Sequence, residues 1–286
     1  LNGCEYCYAR KLANTRLKER YLANKSHFGL LDKDYYGADP FYPRFWEDRL
    51  RELDPTWRVR HYTVGGGSKV QPKGIFVCDM SDLFGIGIPE KWTRRVLDII
   101  KTNYQHRFYL LTKQPQNLPQ WSPFPDNCWV GVSAEGGDQF KHSYFEASHQ
   151  LSMIEAKVKF ISLEPLLGAV DKIAYQSVVS DEYINFTHNI NLLIIGACTG
   201  QRKELLELRG RYPDLQLIGN TLQPRIEWVA EIVEACDKAG VKVFLKNNLK
   251  PLLPPEVPTF YSLRLTTVHE DGEPEYEPVL RQEIPV

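Results

Sequence analysis

The stretch KFISLEP, residues 159–165, decides how the fold of this chain is interpreted. Its apolar residues form a nearly continuous run, which is typical of a strand covered on both faces within a parallel sheet. Five further runs have the same character, namely GIFVCDM (74–80), RFYLLTK (107–113), CWVGVSA (128–134), NLLIIGA (191–197) and VKVFLK (241–246). The sequence therefore predicts six strands of a parallel sheet between residues 74 and 246.

Helical patterns separate several of these strands. In the segment 89–103, Pro89 suits the first helical turn, and apolar residues then recur at helical spacing. The segment 223–240 behaves alike, with Gly240 suited to the C-terminal cap. Strand–helix–strand repetition predicts βαβ units. We expect an α/β fold, a partial parallel (β/α)6-type barrel similar to a TIM barrel.

The predicted barrel domain spans residues 1–250. It contains an insertion at about 18–73 that is rich in aromatic and basic residues and ends in a Gly-rich stretch, TVGGGSKVQPKG (63–74). Residues 251–286 are predicted to form a C-terminal extension with a strand or hairpin at 259–268.

Composition narrows the classes of function. The formal net charge is −1 over 286 residues, so no global field draws the chain to nucleic acid or to a membrane. No run of about 18 apolar residues occurs, and no membrane span is predicted. Four of the six cysteines lie within or beside apolar runs, as free buried cysteines do. We therefore expect a cytoplasmic protein of a reducing compartment.

Polar residues follow every predicted strand, at the point where the strand ends. In chain order they are Asp79, Met80, Ser81 and Asp82, then Thr112 and Lys113, Ser133 and Glu135, Ser162 and Glu164, Cys198 and Thr199, and finally Lys246, Asn247 and Asn248. In a parallel barrel these ends converge on the face where active sites are built. Glu164, Lys113 and Lys246 are our candidates for catalytic substrate contacts. In the alternative interpretation, Glu135 and Glu164 are solvated carboxylates or pair with Lys113 and Lys246.

An aromatic and basic stretch lies in the first part of the chain. Its members are Tyr8, Tyr35, Tyr36, Phe41, Tyr42, Phe45 and Trp46, with Arg44, Arg49 and Arg51 interleaved. Such mixing is able to stack unpaired nucleic-acid bases. The alternative is an ordinary subdomain that covers the barrel.

The pair Cys4 and Cys7, in GCEYCYARKLA (3–13), permits three chemical interpretations. A redox pair belongs in a thioredoxin-like βαβ unit, which the strand pattern does not suit. A zinc site needs two more ligands, and neither a second CxxC nor an HxxxH motif follows. The third interpretation is a [4Fe-4S] cluster, because thiolates are soft ligands that match iron. Three cysteines would leave one iron open for S-adenosylmethionine. The next cysteine is Cys78, so we expect the third ligand to precede Leu1.

Several blocks together resemble a known family. The blocks GCEYCYARKLA, IFVCDMSDLFG, FYLLTKQPQNL, WVGVSAEG, FISLEPLLG, LLIIGACTG and GVKVFLKNNL occur in this order over residues 3–17 and 74–250. In combination they resemble the phage-associated three-Cys-motif family, which is itself similar to the radical S-adenosylmethionine enzymes.

The resemblance implies a set of roles. Cys4 and Cys7 would bind the cluster, and Tyr6 would pack near the adenine of S-adenosylmethionine. Further contacts to this cofactor would come from Asp79, Met80 and Ser81 near the methionine amino group, and from Ser133 and Glu135 at the ribose or methionine end. The family's polar block after the fifth strand is Gly196, Ala197 and Cys198 here.

The first function that we expect is that of a radical S-adenosylmethionine enzyme. Its substrate is unknown, and nucleic acid is one candidate. The enzyme would act with or without a partner protein. Reduction of S-adenosylmethionine would produce methionine and a 5′-deoxyadenosyl radical. One alternative is a nucleic-acid-binding protein of phage defence or DNA processing without radical chemistry. The other is a structural barrel that binds zinc.

Overall fold

The computed structural model of the protein describes residues 4, 6–26, 37–53, 71–170, 175–176, 183–184, 189–268 and 274–285. The helices in this part are α1 (Tyr8–Asn14), α2 (Lys18–Ala23), α3 (Glu47–Arg51), α4 (Glu90–Thr102), α5 (Tyr144–Ser152), α6 (Arg202–Arg211) and α7 (Ile226–Ala239). The strands are β1 (Gly74–Val77), β2 (Arg107–Thr112), β3 (Cys128–Ala134), β4 (Val158–Leu163), β5 (Tyr175–Gln176), β6 (Tyr183–Ile184), β7 (Leu192–Ile195), β8 (Cys198–Thr199), β9 (Gln216–Ile218), β10 (Thr221–Gln223), β11 (Lys242–Leu245), β12 (Tyr261–Val268) and β13 (Pro274–Leu280).

The main sheet has six strands in the order β1-β2-β3-β4-β7-β11. The pairs β1/β2, β4/β7 and β7/β11 are parallel. These are the six strands predicted from the apolar runs, so the α/β class with a parallel sheet is confirmed. Closure of the sheet into a barrel, and a barrel of the radical S-adenosylmethionine type, stay predictions.

Smaller antiparallel sheets accompany the main one. Strands β8, β10 and β9 form a three-stranded sheet, β5 pairs with β6, and β12 pairs with β13. Strand β12 accounts for the apolar and aromatic run predicted at 259–268. The sheet of β8, β10 and β9 was not predicted.

The chain divides into two compact units, and the boundary falls inside β3. The first unit comprises residues 1–130 and 155–157 and holds α1–α4, β1, β2 and the start of β3. Its core includes Phe108 and Leu110 of β2 and Ile99 and Ile100 of α4. Pro89 is the extended residue immediately before α4, one position earlier than the first-turn placement that the sequence predicted.

The second unit comprises residues 131–154 and 158–286. Its core includes Ile161, Leu163, Leu193 and Ile195 on the central strands. Helix α7 ends at Gly240, which has a φ of +70° and occupies the predicted C-terminal cap. The chain after β13 runs along β11, where the Leu245 amide donates to the Arg281 carbonyl at 2.8 Å.

Part of the predicted insertion, including Tyr35, Tyr36 and residues 63–70 of the Gly-rich stretch, lies outside the described residues. Across the described segments, no helix combines the length and the apolar character that crossing a membrane requires.

Candidate functional site

The CxxC loop leads directly into α1. The Cys7 amide donates to the Cys4 carbonyl at 3.0 Å, which closes a tight turn. Cys7 is the N-cap of α1, and its Sγ accepts the Arg10 amide at 3.4 Å. Both thiols are free and partly exposed. Backbone amides directed at sulfur stabilise a thiolate, and they tune the reduction potential of an iron–sulfur cluster that the thiolate binds.

Two contacts hold this loop at the carboxyl ends of β1 and β2. The Tyr8 hydroxyl donates to the backbone carbonyl of Asp79, directly beyond β1. Lys113 follows the last residue of β2, and its Nζ lies 3.4 Å from the Tyr6 hydroxyl and 5.7 Å from the centre of that ring. The cysteine loop therefore lies beside the strand ends of its own unit.

The turn after β1 is strained and firmly held. Cys78 has a φ of +57°, a left-handed conformation that costs energy for a residue with a side chain. The Ser81 amide donates to the Cys78 carbonyl at 2.9 Å. Burial, aided by Asp82 and Asp79, raises the pKa of the Cys78 thiol to about 12, so this cysteine is neutral near pH 7. Asp79, Met80 and Ser81 therefore occupy a fixed turn.

Asp82 fixes this turn to the end of β2. Its carboxylate accepts hydrogen bonds from the Thr112 hydroxyl at 2.8 Å, the Lys113 amide at 2.9 Å and the Phe84 amide at 3.0 Å. Burial raises the pKa of Asp82 despite these hydrogen bonds. The sequence placed Asp82 at a strand end but assigned it no role, because its partners come from a second strand.

In the second unit, the ends of β4, β7 and β11 carry a row of three residues. Leu163, Ile195 and Leu245 are in register across these strands. The residue that follows each of them is Glu164, Gly196 and Lys246. Glu164 and Lys246 form an ion pair across the central glycine. This is the pairing that the alternative interpretation of the strand-end carboxylates allowed for Glu164.

Gly196 makes room for the ion pair. A Cβ built at this position would lie 3.1 Å from Glu164 Cγ and 3.3 Å from Lys246 Cδ. Neighbouring strands are about 4.8 Å apart, so Glu164 and Lys246 are two strand spacings from each other. Their long side chains meet because no side chain stands between them.

Asn248, two residues after Lys246, joins the segment after β11 to the segment after β7. Its side-chain amide donates to the Ala197 carbonyl at 2.8 Å and accepts the Ala197 amide at 3.1 Å. The fully buried Gln223 donates to the Asn248 carbonyl at 2.7 Å. The sequence identified Asn248 as a strand-end residue but gave no signal for Gln223, because Gln223 lies on a strand too short to show a periodic pattern.

The other predicted residues of this unit lie at the end of β3 and beyond β7. Ser133 and Glu135 are both buried. The Glu135 carbonyl accepts the Leu167 amide at 2.7 Å, which ties the segment after β3 to the segment after β4. Cys198 is buried in β8, and burial, with Glu204 nearby, raises the pKa of its thiol to about 11. Cys198 is therefore a neutral thiol.

The aromatic and basic residues of the described part of the insertion contact one another. The Arg44 guanidinium donates to the carbonyls of Gly37, Asp39 and Tyr42 at 2.7–3.0 Å. Arg20 lies over the Trp46 ring at 5.3 Å. These contacts favour the interpretation of a packed subdomain over a platform for nucleic-acid bases.

Fold and site together define an α/β protein with polar and charged side chains at the carboxyl ends of parallel strands. The sequence profile described as "Protein of unknown function (DUF5131)" matches residues 1–209, and the chain belongs to that family. Neither the curated proteins nor the solved structures gave a match.

Proposed function

We propose that this protein is a radical S-adenosylmethionine enzyme that holds an iron–sulfur cluster at Cys4 and Cys7. The observation that supports the proposal is the position of the cysteine loop beside the ends of β1 and β2, through Tyr8 to Asp79 and Tyr6 to Lys113. Active sites of parallel α/β barrels lie at the carboxyl ends of the strands. We also propose that this protein is related to the phage-associated three-Cys-motif family, which its sequence blocks resemble.

The donor set fits such a cluster. Cys4 and Cys7 are free and partly exposed, whereas Cys128, Cys198 and Cys236 are buried. Cys78 is also a partly exposed residue, but desolvation raises the pKa of its thiol to about 12, which does not suit a thiolate ligand. The Arg10 amide directed at Cys7 Sγ suits a negatively charged sulfur ligand. A cluster that leaves one iron open for S-adenosylmethionine requires a third thiolate besides these two.

When bound, the cluster would supply one electron to S-adenosylmethionine, and the cleavage products would be methionine and a 5′-deoxyadenosyl radical that takes a hydrogen atom from the substrate. The chain's own residues would orient the reactants. In this proposal Tyr6 packs against the adenine, and the strained turn at Asp79, Met80 and Ser81 contacts the methionine. Ser133 and Glu135 are proposed contacts to the ribose or methionine end.

The test uses the protein purified and reconstituted with iron and sulfide without oxygen. We expect bound iron and sulfide, and release of 5′-deoxyadenosine when S-adenosylmethionine and dithionite are added. Cys4→Ser and Cys7→Ser should each abolish both, whereas the matched control Cys198→Ala should retain both. A protein that binds zinc in place of iron, or that binds iron but never releases 5′-deoxyadenosine, would disprove the radical proposal.

Nucleic-acid binding without radical chemistry, and a structural zinc site, stay predictions of the sequence. The contacts within the aromatic segment do not favour the first. The metal content measured in the same experiment separates the second from an iron site. A cytoplasmic location and the need for a partner protein also stay predictions.

A further inference from the structure

The ion pair of Glu164 and Lys246 is accessible to a ligand. The side chains of Glu164 and Lys246 are 33% and 40% exposed, and the two residues follow β4 and β11, the strands on either side of β7. An ion pair this exposed typically contributes less than about 1 kcal/mol to stability. Stability alone therefore explains little of why these two charges stand together at a strand end.

The pair is set in place before any ligand arrives. Asn248, which is two residues beyond Lys246, makes two hydrogen bonds to the backbone of Ala197. Its own carbonyl accepts from Gln223, whose Oε1 is buried and has no hydrogen-bond partner among the described residues. The Lys246 amide donates to the Ile195 carbonyl at 2.9 Å. These bonds hold the backbone of Lys246 at a fixed distance from Glu164.

The charges define what the pair is able to bind. The charges of Glu164 and Lys246 cancel each other. A phosphate or another anion is therefore repelled by the carboxylate as well as attracted by the ammonium. A neutral amide suits the pair better, because it presents an N–H beside a C=O. The carboxylate would accept from the N–H and the ammonium would donate to the C=O, and both hydrogen bonds would be charge-assisted.

We propose that Glu164 and Lys246 bind a neutral amide group, either a cyclic imide or lactam or a primary carboxamide, and that Asn248 is the positioning residue of this site. Calling the occupant a substrate rests on the function proposed above. The binding itself does not, and its test requires neither iron nor S-adenosylmethionine.

The experiment follows the side chain of Lys246 in the protein of 286 residues. Lysines are reductively methylated with 13C, which keeps their charge and one N–H donor, and the Lys246 signal is assigned by its loss in Lys246→Arg. Uridine is the cyclic imide probe, nicotinamide the carboxamide probe and inorganic phosphate the anionic probe. We expect saturable shifts of the Lys246 signal with a neutral probe and none with phosphate. The neutral probe that binds more tightly identifies the source of the amide.

Two variants make the test specific. Glu164→Gln removes the repulsive charge, so phosphate should now shift the Lys246 signal. Asn248→Ala should weaken binding of the neutral probe about tenfold, whereas Asn247→Ala, at the exposed neighbouring position, should leave it within about twofold. The proposal is overturned if phosphate shifts the wild-type signal as strongly as uridine does, or if neither neutral probe shifts it. Equal effects of Asn248→Ala and Asn247→Ala would remove the role of Asn248 alone.

Discussion

Glu164 and Lys246 meet across Gly196, the glycine that directly follows the strand between them. The pair exists because β4, β7 and β11 are in register and Gly196 occupies the middle of the row. Three blocks that are distant in the chain, SLEPLLG, GACTG and FLKNN, thereby form one ion pair: the first gives the carboxylate, the second the glycine and the third the ammonium. The geometry at the strand ends therefore depends on the residue that has no side chain.

Gly196→Ala should displace the ion pair and leave the fold intact. The added Cβ would contact Glu164 Cγ and Lys246 Cδ, which belong to flexible side chains that are able to turn away. We expect the free energy of unfolding to fall by no more than about 1 kcal/mol. The 13C signal of methylated Lys246 should move toward that of exposed lysines. Urea denaturation and NMR measure the two effects.

Gly210→Ala is the matched control. A Cβ at Gly210 meets no atom within 4 Å, and the residue lies in α6. Replacement of a helical glycine by alanine should stabilise the protein by up to about 1 kcal/mol and leave the Lys246 signal unchanged. If Gly196→Ala left the Lys246 signal unchanged as well, the absence of a side chain at Gly196 would not be what allows Glu164 and Lys246 to meet.

The sequence was sufficient for the elements whose signal is local. Near-continuous apolar runs predicted the six strands, and Gly240 predicted the end of α7. It could not decide which carboxylate pairs with which lysine, because that depends on strand order and register. The contact from Tyr8 to Asp79 joins segments far apart in the chain, and Gln223 lies on a three-residue strand without a periodic pattern. Such contacts arise only when the fold brings the segments together.

Gly131→Ala should strongly destabilise the second unit. A Cβ at Gly131 would lie 2.3–2.5 Å from the ring of Phe160, which is buried and has little freedom to move. Overpacking of a core costs about 1–3 kcal/mol or more, and we expect the free energy of unfolding to fall by at least this amount. Guanidinium denaturation measures it.

A second substitution tests the cause of that loss. Phe160→Leu alone should destabilise by leaving a cavity, but in the Gly131→Ala background its cost should shrink or reverse, because the clash is relieved. Strictly additive costs of the two substitutions would contradict the contact between Gly131 and Phe160.

Asp82 should make stability fall as the pH rises. Burial raises the pKa of the folded Asp82 above its ordinary value of 3.8, so the folded protein keeps this proton when the unfolded chain has lost it. Fewer protons are then bound in the unfolded state, and the free energy of unfolding decreases with pH from about 3.8 up to the raised pKa. Above that range the contribution is constant.

The measurement compares wild type with Asp82→Asn by chemical denaturation between about pH 4 and pH 8, since Asp82→Asn removes the titration. The free energy of wild type minus that of the variant should decrease as the pH rises. Thr112→Val removes a hydrogen bond to the carboxylate and should extend the decrease to higher pH. An increase of the difference with pH would mean that the hydrogen bonds outweigh burial, and the interpretation would be wrong.

Arg281 should anchor the chain after β13 to the second unit. Its guanidinium donates to both carboxylate oxygens of Asp237 on α7 and pairs with Glu283 at 3.0 Å, and these contacts raise its pKa. The Arg281 side chain is only 14% exposed, so Arg281→Ala removes a largely buried side chain and leaves the partly buried Glu283 and the exposed Asp237 without this partner. We expect a loss of about 1–3 kcal/mol in the free energy of unfolding, measured by urea denaturation. Arg281→Lys should lose less stability, because it keeps the charge but not the contact of two nitrogens with one carboxylate.

The matched control is Arg264→Ala, which removes an exposed ion pair with Glu277 between β12 and β13 and should cost less than about 1 kcal/mol. Equal losses from the two alanine variants would show that Arg281 contributes no more than a surface charge.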